Sequence, residues 1–427
     1  MLEKQKALRD PTTTPKKQVC SIFNLMTHTV AIAGCSGYIG THMTRAALNS
    51  GMQVYGIDPA LDEGFKNHDR FHEVQTVEQF CATDADCFYL ALQPNHRDPY
   101  LNRLIANGKM ILSEKPMARA REPEICDTIV ETLAQSNATM RYNFLYLYNP
   151  ITYHIIKFLD SHPEVTITSI KALVEKNRES RRNDRNLKFM EPIQYQETIH
   201  SLALMLVLRG ELMHYHGSDF DATFPGGLIA VGDSFLYNVP SSDYDAIPDG
   251  RFHGSLTASG FRMDIITNFK RLDHKGLPTR PQKRITISGR TKDMPFVIEA
   301  DYQRDHEMLE INGETVPLPD FDPYTLVWYD ILTPDNQTPF YVPPDEHLAR
   351  TAYRLSALLW KTSYIGEELV IDSDKTLARA SLSYPNALES GRLPQYRSRP
   401  TREWVEKHLI DPVIDVTEGL RTRNSHK

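Results

Sequence analysis

The fold is indicated by the stretch Gly34-Cys35-Ser36-Gly37-Tyr38-Ile39-Gly40. It follows an apolar run at residues 30–33, and Asp58 ends a second apolar run at residues 53–57. This order predicts a strand, a glycine turn, a helix that begins near Tyr38, and a second strand that ends in an acid. Glycines let the backbone approach a pyrophosphate, the helix N-terminus offers N–H groups, and a carboxylate accepts from a ribose hydroxyl. The pattern therefore predicts bound NAD.

The acid at position 58 favours NAD over NADP. The glycine spacing is G-x-x-G-x-x-G, so Ser36 stands where the second glycine of the commoner G-x-G-x-x-G pattern is found. Glycines alone occur in many tight strand-to-helix turns, and it is the combination with Asp58 that supports the assignment. A 2′-phosphate beside this carboxylate would be repelled, and the next residues, Pro59 and Ala60, supply no arginine to neutralise it.

Length and composition predict a soluble enzyme with more than one domain. A chain of 427 residues with 41% hydrophobic content is too long for one ordinary core, so we expect two domains with extensions. No apolar run approaches the ~20 residues that span a bilayer, and the start of the chain lacks the apolar segment of a signal peptide. The five cysteines lie at no metal-ligand spacing and favour reduced thiols in the cytoplasm. The net charge of −7 argues against a nucleic-acid binder.

Alternating strands and helices from residue 28 onward predict an α/β fold with a doubly wound parallel sheet. The continuous apolar run at residues 87–92 is typical of a parallel strand covered on both faces. A helix, a strand, a helix and a strand are predicted after it, at residues 99–107, 110–112, 122–134 and 139–146. We expect a flexible lead over residues 1–27 and a dinucleotide-binding Rossmann domain over residues 28–149.

The second half of the chain predicts an α+β domain with a largely antiparallel sheet. A helix at residues 151–159 is followed by short alternating runs at residues 165–174, 254–258, 262–269, 284–287 and 296–302. A long helix over residues 345–365 is predicted to end at Gly366. We expect this substrate and oligomerisation domain to span residues 150–370, and residues 371–427 to form a C-terminal extension.

Polar motifs follow two of the predicted parallel strands. Gln93-Pro94-Asn95 comes after the strand at residues 87–92, and Ser113-Glu114-Lys115-Pro116 comes after the next strand. Both motifs lie at carboxyl ends of parallel strands, where doubly wound sheets bind their ligands. A lysine there can stabilise the charge that develops as a hydroxyl becomes a carbonyl, although Lys115 alone would be interpreted as a surface lysine.

Together these motifs resemble those of the glucose-fructose oxidoreductase, inositol dehydrogenase and MocA family, Gfo/Idh/MocA. The resemblance extends from Val30 to about Val370 and rests on the glycine turn, Asp58, Pro94-Asn95, Ala106-Asn107-Gly108-Lys109, Glu114-Lys115-Pro116, Tyr148-Asn149-Pro150 and the closing segment Leu358-Leu359-Trp360-Lys361-Thr362-Ser363. It implies a nicotinamide-dependent dehydrogenase or reductase acting on a sugar, cyclitol or related polyol. It also implies that Pro94, Asn95, Glu114 and Lys115 lie at the cofactor, and that the protein is a homo-oligomer, either a dimer or a tetramer.

A second motif of the resemblance is Gln194-Tyr195-Gln196-Glu197-Thr198-Ile199-His200, which implies that His200 is the acid/base. In the common pattern an aspartate stands four residues before the histidine, whereas this chain has Gln196. On a helix, Gln196 and Glu197 would share the face of His200 and could contact substrate or orient the imidazole. The alternative is a helix histidine held by a neighbour, with no catalytic role.

Oxidation of a secondary alcohol needs a hydride acceptor, a base and a stabiliser of the oxyanion. NAD, His200 and Lys115 would fill these roles, with a small-molecule substrate as the partner; Lys115 is the alternative proton donor. The basic cluster from Arg178 to Arg185 is either a solvated loop or a surface that faces the substrate.

Three other functions remain open on the same fold. One is an NAD-dependent glycosidase that opens its bond by transient oxidation. Another is a non-catalytic dinucleotide-sensing regulator, which Lys115 and His200 argue against and Gln196 favours weakly. The third is a reductase of an imine or conjugated system, which needs no polyol-binding acid. The fold alone does not determine the substrate.

Overall fold

Two β-sheets organise the part of the chain that the structure, a computed structural model, describes. That part comprises residues 25–120, 122–162, 164–176, 191–212, 220–236, 249–269, 281–292, 294–304, 306–319, 322–333 and 344–382. One sheet has six parallel strands and the other has nine mostly antiparallel strands. The predicted fold class is therefore confirmed. No helix in the described residues is long and apolar enough to cross a membrane.

The parallel sheet has the order β3-β2-β1-β4-β5-β6. Its strands are β1 (Thr29–Ala33), β2 (Gln53–Ile57), β3 (Phe71–Glu73), β4 (Cys87–Leu90), β5 (Met110–Glu114) and β6 (Thr139–Asn143). Because the strand order reverses between β1 and β4, a crevice lies outside their carboxyl ends, where such sheets bind their ligands. The side chains of β4 are buried throughout, as its continuous apolar sequence predicts.

Three helices of this sheet, at residues 38–49, 98–106 and 124–134, lie close to the predicted positions, whereas the short helix at residues 63–66 was not anticipated. In chain order, the helices are α1 (Tyr38–Asn49), α2 (Glu63–Lys66), α3 (Val77–Cys81), α4 (Asp98–Ala106) and α5 (Glu124–Ala134). The strand expected at residues 139–146 ends at Asn143. The short edge strand β3 carries His72 and Glu73, both exposed, and its sequence has no apolar pattern that would have indicated a strand.

The mixed sheet follows the helix α6 (Pro150–Asp160) and has the order β14-β13-β12-β11-β7-β10-β9-β8-β15. Its strands are β7 (Thr166–Glu175), β8 (Leu228–Leu236), β9 (Asp249–Ala258), β10 (Phe261–Asn268), β11 (Gln282–Arg290), β12 (Pro295–Asp301), β13 (Met308–Ile311), β14 (Glu314–Thr315) and β15 (Leu369–Ile371). Within the described part of this sheet, β7 and β10 are the only neighbours that pair in parallel. All five predicted runs are strands, whereas β8, β13, β14 and β15 were not anticipated.

A π-helical turn (Gln194–Thr198) leads into the helix α7 (Ile199–Leu212), and the short helix α8 (Phe220–Thr223) follows. Six consecutive side chains of α7, from Leu202 to Val207, are at most 2% exposed. A helix that is apolar on all sides must be covered on all sides, so α7 lies in the core. Its first turn, which contains His200, is thereby held in a fixed position.

The last helices connect the two sheets. They are α9 (Pro323–Leu332), α10 (Glu346–Ile365) and α11 (Asp374–Leu382). Trp328 of α9 donates from its indole nitrogen to the carbonyl of Met43 in α1, at 3.0 Å. Arg354 of α10 forms ion pairs with Asp127 of α5 and Asp374 of α11, at 2.7 and 3.1 Å. As predicted, α10 ends at Gly366, whose φ of +69° is left-handed.

Candidate active site

The glycine turn lies between β1 and α1 and requires glycine at two positions. Gly34 has a φ of +77°, and its N–H donates to the carbonyl of Ile57 at 2.8 Å. A Cβ atom on Gly40 would lie 1.9 Å from the carbonyl oxygen of Gly34, so the start of α1 packs directly on the turn. This close approach is the geometry by which such turns bring backbone N–H groups to a pyrophosphate.

The first turn of α1 supplies the second element of this site. Gly37 precedes the helix, and no side chain caps the helix there. The first N–H groups of a helix have no partner within it, and they favour an anion. Tyr38 is 59% exposed and packs edge-on against His42, with ring centroids 5.2 Å apart, while Ile39 is half-buried against the core.

Asp58 lies directly after β2 and beside the glycine turn, as predicted. Its carboxylate accepts from the backbone N–H of Ser36 at 3.0 Å and of Ala60 at 2.9 Å. The Ser36 hydroxyl in turn accepts from the N–H of Asp62 at 2.8 Å. Ser36 therefore secures the loop after β2, which gives a structural reason for a serine in place of the commoner glycine. A carboxylate has about four acceptor positions, so Asp58 keeps capacity for a ribose hydroxyl.

The loops after β4 and β5 are joined by a buried arginine. Pro94 is buried and Asn95 is exposed in a short 3₁₀ turn, Pro94–His96, that follows β4. Arg97 is only 3% exposed and donates to the carbonyl of Leu92 at 2.9 Å and to that of Pro116 at 2.7 Å. Arg97 was not identified from the sequence, although its position between the two motifs was visible.

Glu114 ends β5 in a network that connects three strands. Its carboxylate accepts from the hydroxyl of Tyr89 in β4 and from the amide of Asn143 in β6, the latter at 2.7 Å. Burial raises the pKa of Glu114, and the adjacent Lys115 ammonium opposes this shift. The network fixes the end of β5 and with it Lys115, whose peptide bond to Pro116 is cis.

Lys115 reaches from the end of β5 to the π-helical turn before His200. Its ammonium donates to the backbone carbonyl of Gln196 in the π-helical turn. The side-chain amide of Gln196 donates to the carbonyl of Glu191. The carboxylate of Glu197 is 4% exposed and accepts from the Lys176 ammonium at 2.6 Å. The π-helical turn before His200 is therefore contacted by Lys115, which follows β5 of the parallel sheet, and by Lys176, which follows β7 of the mixed sheet.

His200 is 7% exposed at the start of α7. Its ring stacks on Tyr146 at 5.2 Å and an angle of 26°, and Phe144 packs edge-on against it at 6.1 Å. Burial and, next, the Lys115 ammonium hold its pKa well below the ordinary value of 6.5. Its Nδ1 is buried and has no hydrogen-bond partner among the described residues. His200 is thus a neutral imidazole at neutral pH, with a nitrogen available to a ligand.

Tyr146, which stacks on the imidazole, and two residues that contact Tyr146 were missed from the sequence. Tyr302 stacks on Tyr146 at 4.7 Å, and the Lys283 ammonium lies 5.8 Å from the centre of the Tyr146 ring. Tyr146 had a usable signal, because it was predicted at the carboxyl end of a parallel strand, as was Lys115. Lys283 and Tyr302 had none, because only strand pairing brings them to His200. Of the predicted substrate contacts, Arg178 lies outside the described residues.

Comparisons with known proteins identify the parallel sheet. Residues 28–144 match the GFO_IDH_MocA family model, described as an oxidoreductase family with an NAD-binding Rossmann fold. No curated protein matches the sequence significantly. The predicted resemblance to this family is therefore confirmed over residues 28–144, together with the NAD-binding type of its Rossmann fold.

Solved structures with this fold span most of the chain. One is an oxidoreductase from Agrobacterium radiobacter in complex with NAD⁺, L-tartaric acid and magnesium, at 12% identity, 80% of this chain, 98% of that chain and a TM-score of 0.58. Another is myo-inositol 2-dehydrogenase from Lactobacillus plantarum, at 13% identity and a TM-score of 0.59. The match covers 81% of this chain and 99% of that chain. A third is levoglucosan dehydrogenase in complex with NADH and L-sorbose, at 13% identity and a TM-score of 0.58. The match covers 81% of this chain and 99% of that chain. These identities establish similarity of fold. Together with the family match, they show that residues 28–144 match an oxidoreductase family with an NAD-binding Rossmann fold and that the chain shares the fold of these solved oxidoreductases.

Proposed function

We propose that the enzyme transfers a hydride between NAD and a sugar, cyclitol or related polyol or keto substrate, with His200 as the acid/base and Lys115 as the oxyanion stabiliser. The observation that carries the proposal is the position of Lys115 beside the π-helical turn that leads into His200. The Lys115 ammonium donates to the carbonyl of Gln196, four residues before His200. A cation and a neutral imidazole therefore share one site at the carboxyl edge of the parallel sheet, where this fold binds its ligands.

The residues present fit a dinucleotide. The turn at Gly34 and Gly40 and the uncapped start of α1 would hold the pyrophosphate, and Asp58 would accept from a ribose hydroxyl. The turn at Pro94 and Asn95 would contact the cofactor from the next loop along the same edge. Bound NAD supplies the hydride acceptor for oxidation and, in its reduced form, the hydride donor for reduction.

His200 would move the proton. Its depressed pKa keeps the imidazole neutral at pH 7, so it can accept the hydroxyl proton as an alcohol is oxidised. In the reductive direction the protonated ring would donate to the forming hydroxyl. Lys115 would hold the substrate oxygen and stabilise the negative charge that develops on it, a role that positioned cationic donors commonly fill.

The test is a screen of polyols and keto-sugars with purified protein and NAD or NADH, followed by absorbance at 340 nm. We expect turnover with at least one polyol or keto partner, lost in Lys115→Met while the variant still binds NADH by fluorescence. Release of free sugar from a glycoside without net NADH would instead identify a glycosidase. NAD binding without turnover of any compound would indicate a regulator.

A further inference from the structure

Three lysines lie around His200. Lys115 comes from the end of β5 in the parallel sheet, while Lys176 directly follows β7 and Lys283 is the second residue of β11. β7 and β11 are antiparallel neighbours in which Lys283 pairs with Val174. Because of this register, Lys176 and Lys283 lie at the same end of this pair of strands. All three ammonium groups lower the pKa of His200, which agrees with their positions around it.

The acids at this end of β7 and β11 do not neutralise Lys283. Glu197 accepts from Lys176 at 2.6 Å. Asp301 accepts from the backbone N–H of Lys283 at 3.1 Å, and its carboxylate lies 3.7 Å from the guanidinium of Arg284. No carboxylate of the described residues lies within 4.0 Å of the Lys283 ammonium, which instead sits over the ring of Tyr146. This cation therefore retains the capacity to bind an anion.

Two buried polar atoms, one on Tyr146 beneath the Lys283 ammonium and one on His200 stacked against Tyr146, have no hydrogen bond to any described residue. They are the hydroxyl of Tyr146, which is 3% exposed, and Nδ1 of His200. A buried polar group without a partner costs about 1–3 kcal/mol, so native proteins satisfy such groups with a ligand or with water. The hydroxyl, the imidazole nitrogen and the ammonium together form a set of groups suited to a polar ligand.

Resting on the proposed function, we propose that the substrate carries an anionic group, a carboxylate or a phosphate, and that Lys283 and the Tyr146 hydroxyl bind it beside His200. Charge-assisted hydrogen bonds from an ammonium to a carboxylate or phosphate are stronger than bonds between neutral groups. The preferred substrate class is thus an acidic polyhydroxy compound instead of a neutral polyol.

The test compares matched neutral and anionic compounds on the NAD-loaded full-length protein by calorimetry. The pairs are D-glucitol with D-gluconate, D-glucose with D-glucuronate, and D-glucose with D-glucose 6-phosphate. We expect at least one anion to bind about tenfold or more tightly than its neutral partner, and the pair in which this occurs distinguishes a carboxylate from a phosphate. If no anion binds more tightly than its neutral partner, the inference is wrong.

Variants assign any preference to the proposed residues. Lys283→Met should reduce the preference for the anion about tenfold, Lys283→Arg should largely retain it, and both should bind NADH as the wild type does. The matched control is Lys292→Met, because Lys292 is exposed near the opposite end of β11 and its preference should equal that of the wild type. An unchanged preference in Lys283→Met would overturn the role of Lys283. Since calorimetry reports binding without turnover, failure of the proposed oxidation would be recognised separately, as the absence of NADH formation.

Discussion

The two halves of the active site are built in different ways. On the parallel sheet the backbone forms the site, from a glycine turn, the start of α1 and one carboxylate within residues 34–58. On the mixed sheet the site consists of side chains from separate elements, including Lys176, His200 and Lys283. We therefore expect the first half to be disrupted by an added carbon atom. The half of the site on the mixed sheet should lose its function when a substitution removes a charge or the proton carrier, while the fold is retained.

The largest effect is expected from Gly40→Ala. The added Cβ would lie 1.9 Å from the Gly34 carbonyl oxygen, so α1 has to move away from the turn. We expect a loss of about 1–3 kcal/mol in the free energy of unfolding by urea, and NAD affinity about a hundredfold lower by calorimetry.

Gly64→Ala is the control for this substitution. The nearest atom to its added Cβ is a side-chain oxygen of Asp62 at 3.1 Å, which can move. We expect stability and NAD affinity close to those of the wild type. Normal NAD binding by Gly40→Ala would show that the backbone half is more tolerant than its geometry indicates.

Lys115→Met tests the contact between the halves. Removing one stabiliser of the oxyanion should lower kcat by about a hundredfold or more, while NAD affinity stays near normal. Steady-state kinetics and NADH fluorescence measure the two quantities. Lys109→Met is the control, because Lys109 precedes the opposite end of the same strand and lies over the ring of Phe88. Normal turnover by Lys115→Met would place the reacting centre elsewhere.

The same difference explains what the sequence could predict. The strands β1, β2, β4 and β5 and the helices α1 and α4 were predicted closely, because a contiguous glycine motif and apolar runs specify them locally. His200 was found only through resemblance to a family motif. Lys283 was missed because it reaches the site through its pairing with Val174, more than a hundred residues away, and no local pattern encodes such pairing.

Cofactor choice tests Asp58, the carboxylate of the half of the site on the parallel sheet. NAD should bind at least about tenfold more tightly than NADP, a difference of about 1.4 kcal/mol, because the carboxylate repels a 2′-phosphate. Asp58→Asn removes the charge and should reduce the ratio of NAD affinity to NADP affinity, as calorimetric titration of both cofactors would show. Equal affinities of the wild type for NAD and NADP would contradict the assignment.

The smallest effect is expected from Trp328→Phe, which tests how α9 is attached to the parallel sheet. The substitution removes the buried hydrogen bond from the indole nitrogen to the carbonyl of Met43. We expect a loss of about 1 kcal/mol in the free energy of unfolding, with NAD affinity little changed. A large loss of NAD affinity would mean that α9 also shapes the cofactor site.

The proposed role of His200 is to carry the proton at a site completed by Lys115. It is tested most directly by the pH dependence of kcat/KM for oxidation, in the wild type and in His200→Ala. A base acts only when deprotonated, so wild-type activity should fall as the pH decreases through the pKa of His200, which lies below 6.5. In His200→Ala we expect this acid limb to be absent and the rate to be low, with NAD affinity retained. An acid limb of the same position and shape in both proteins would contradict the account.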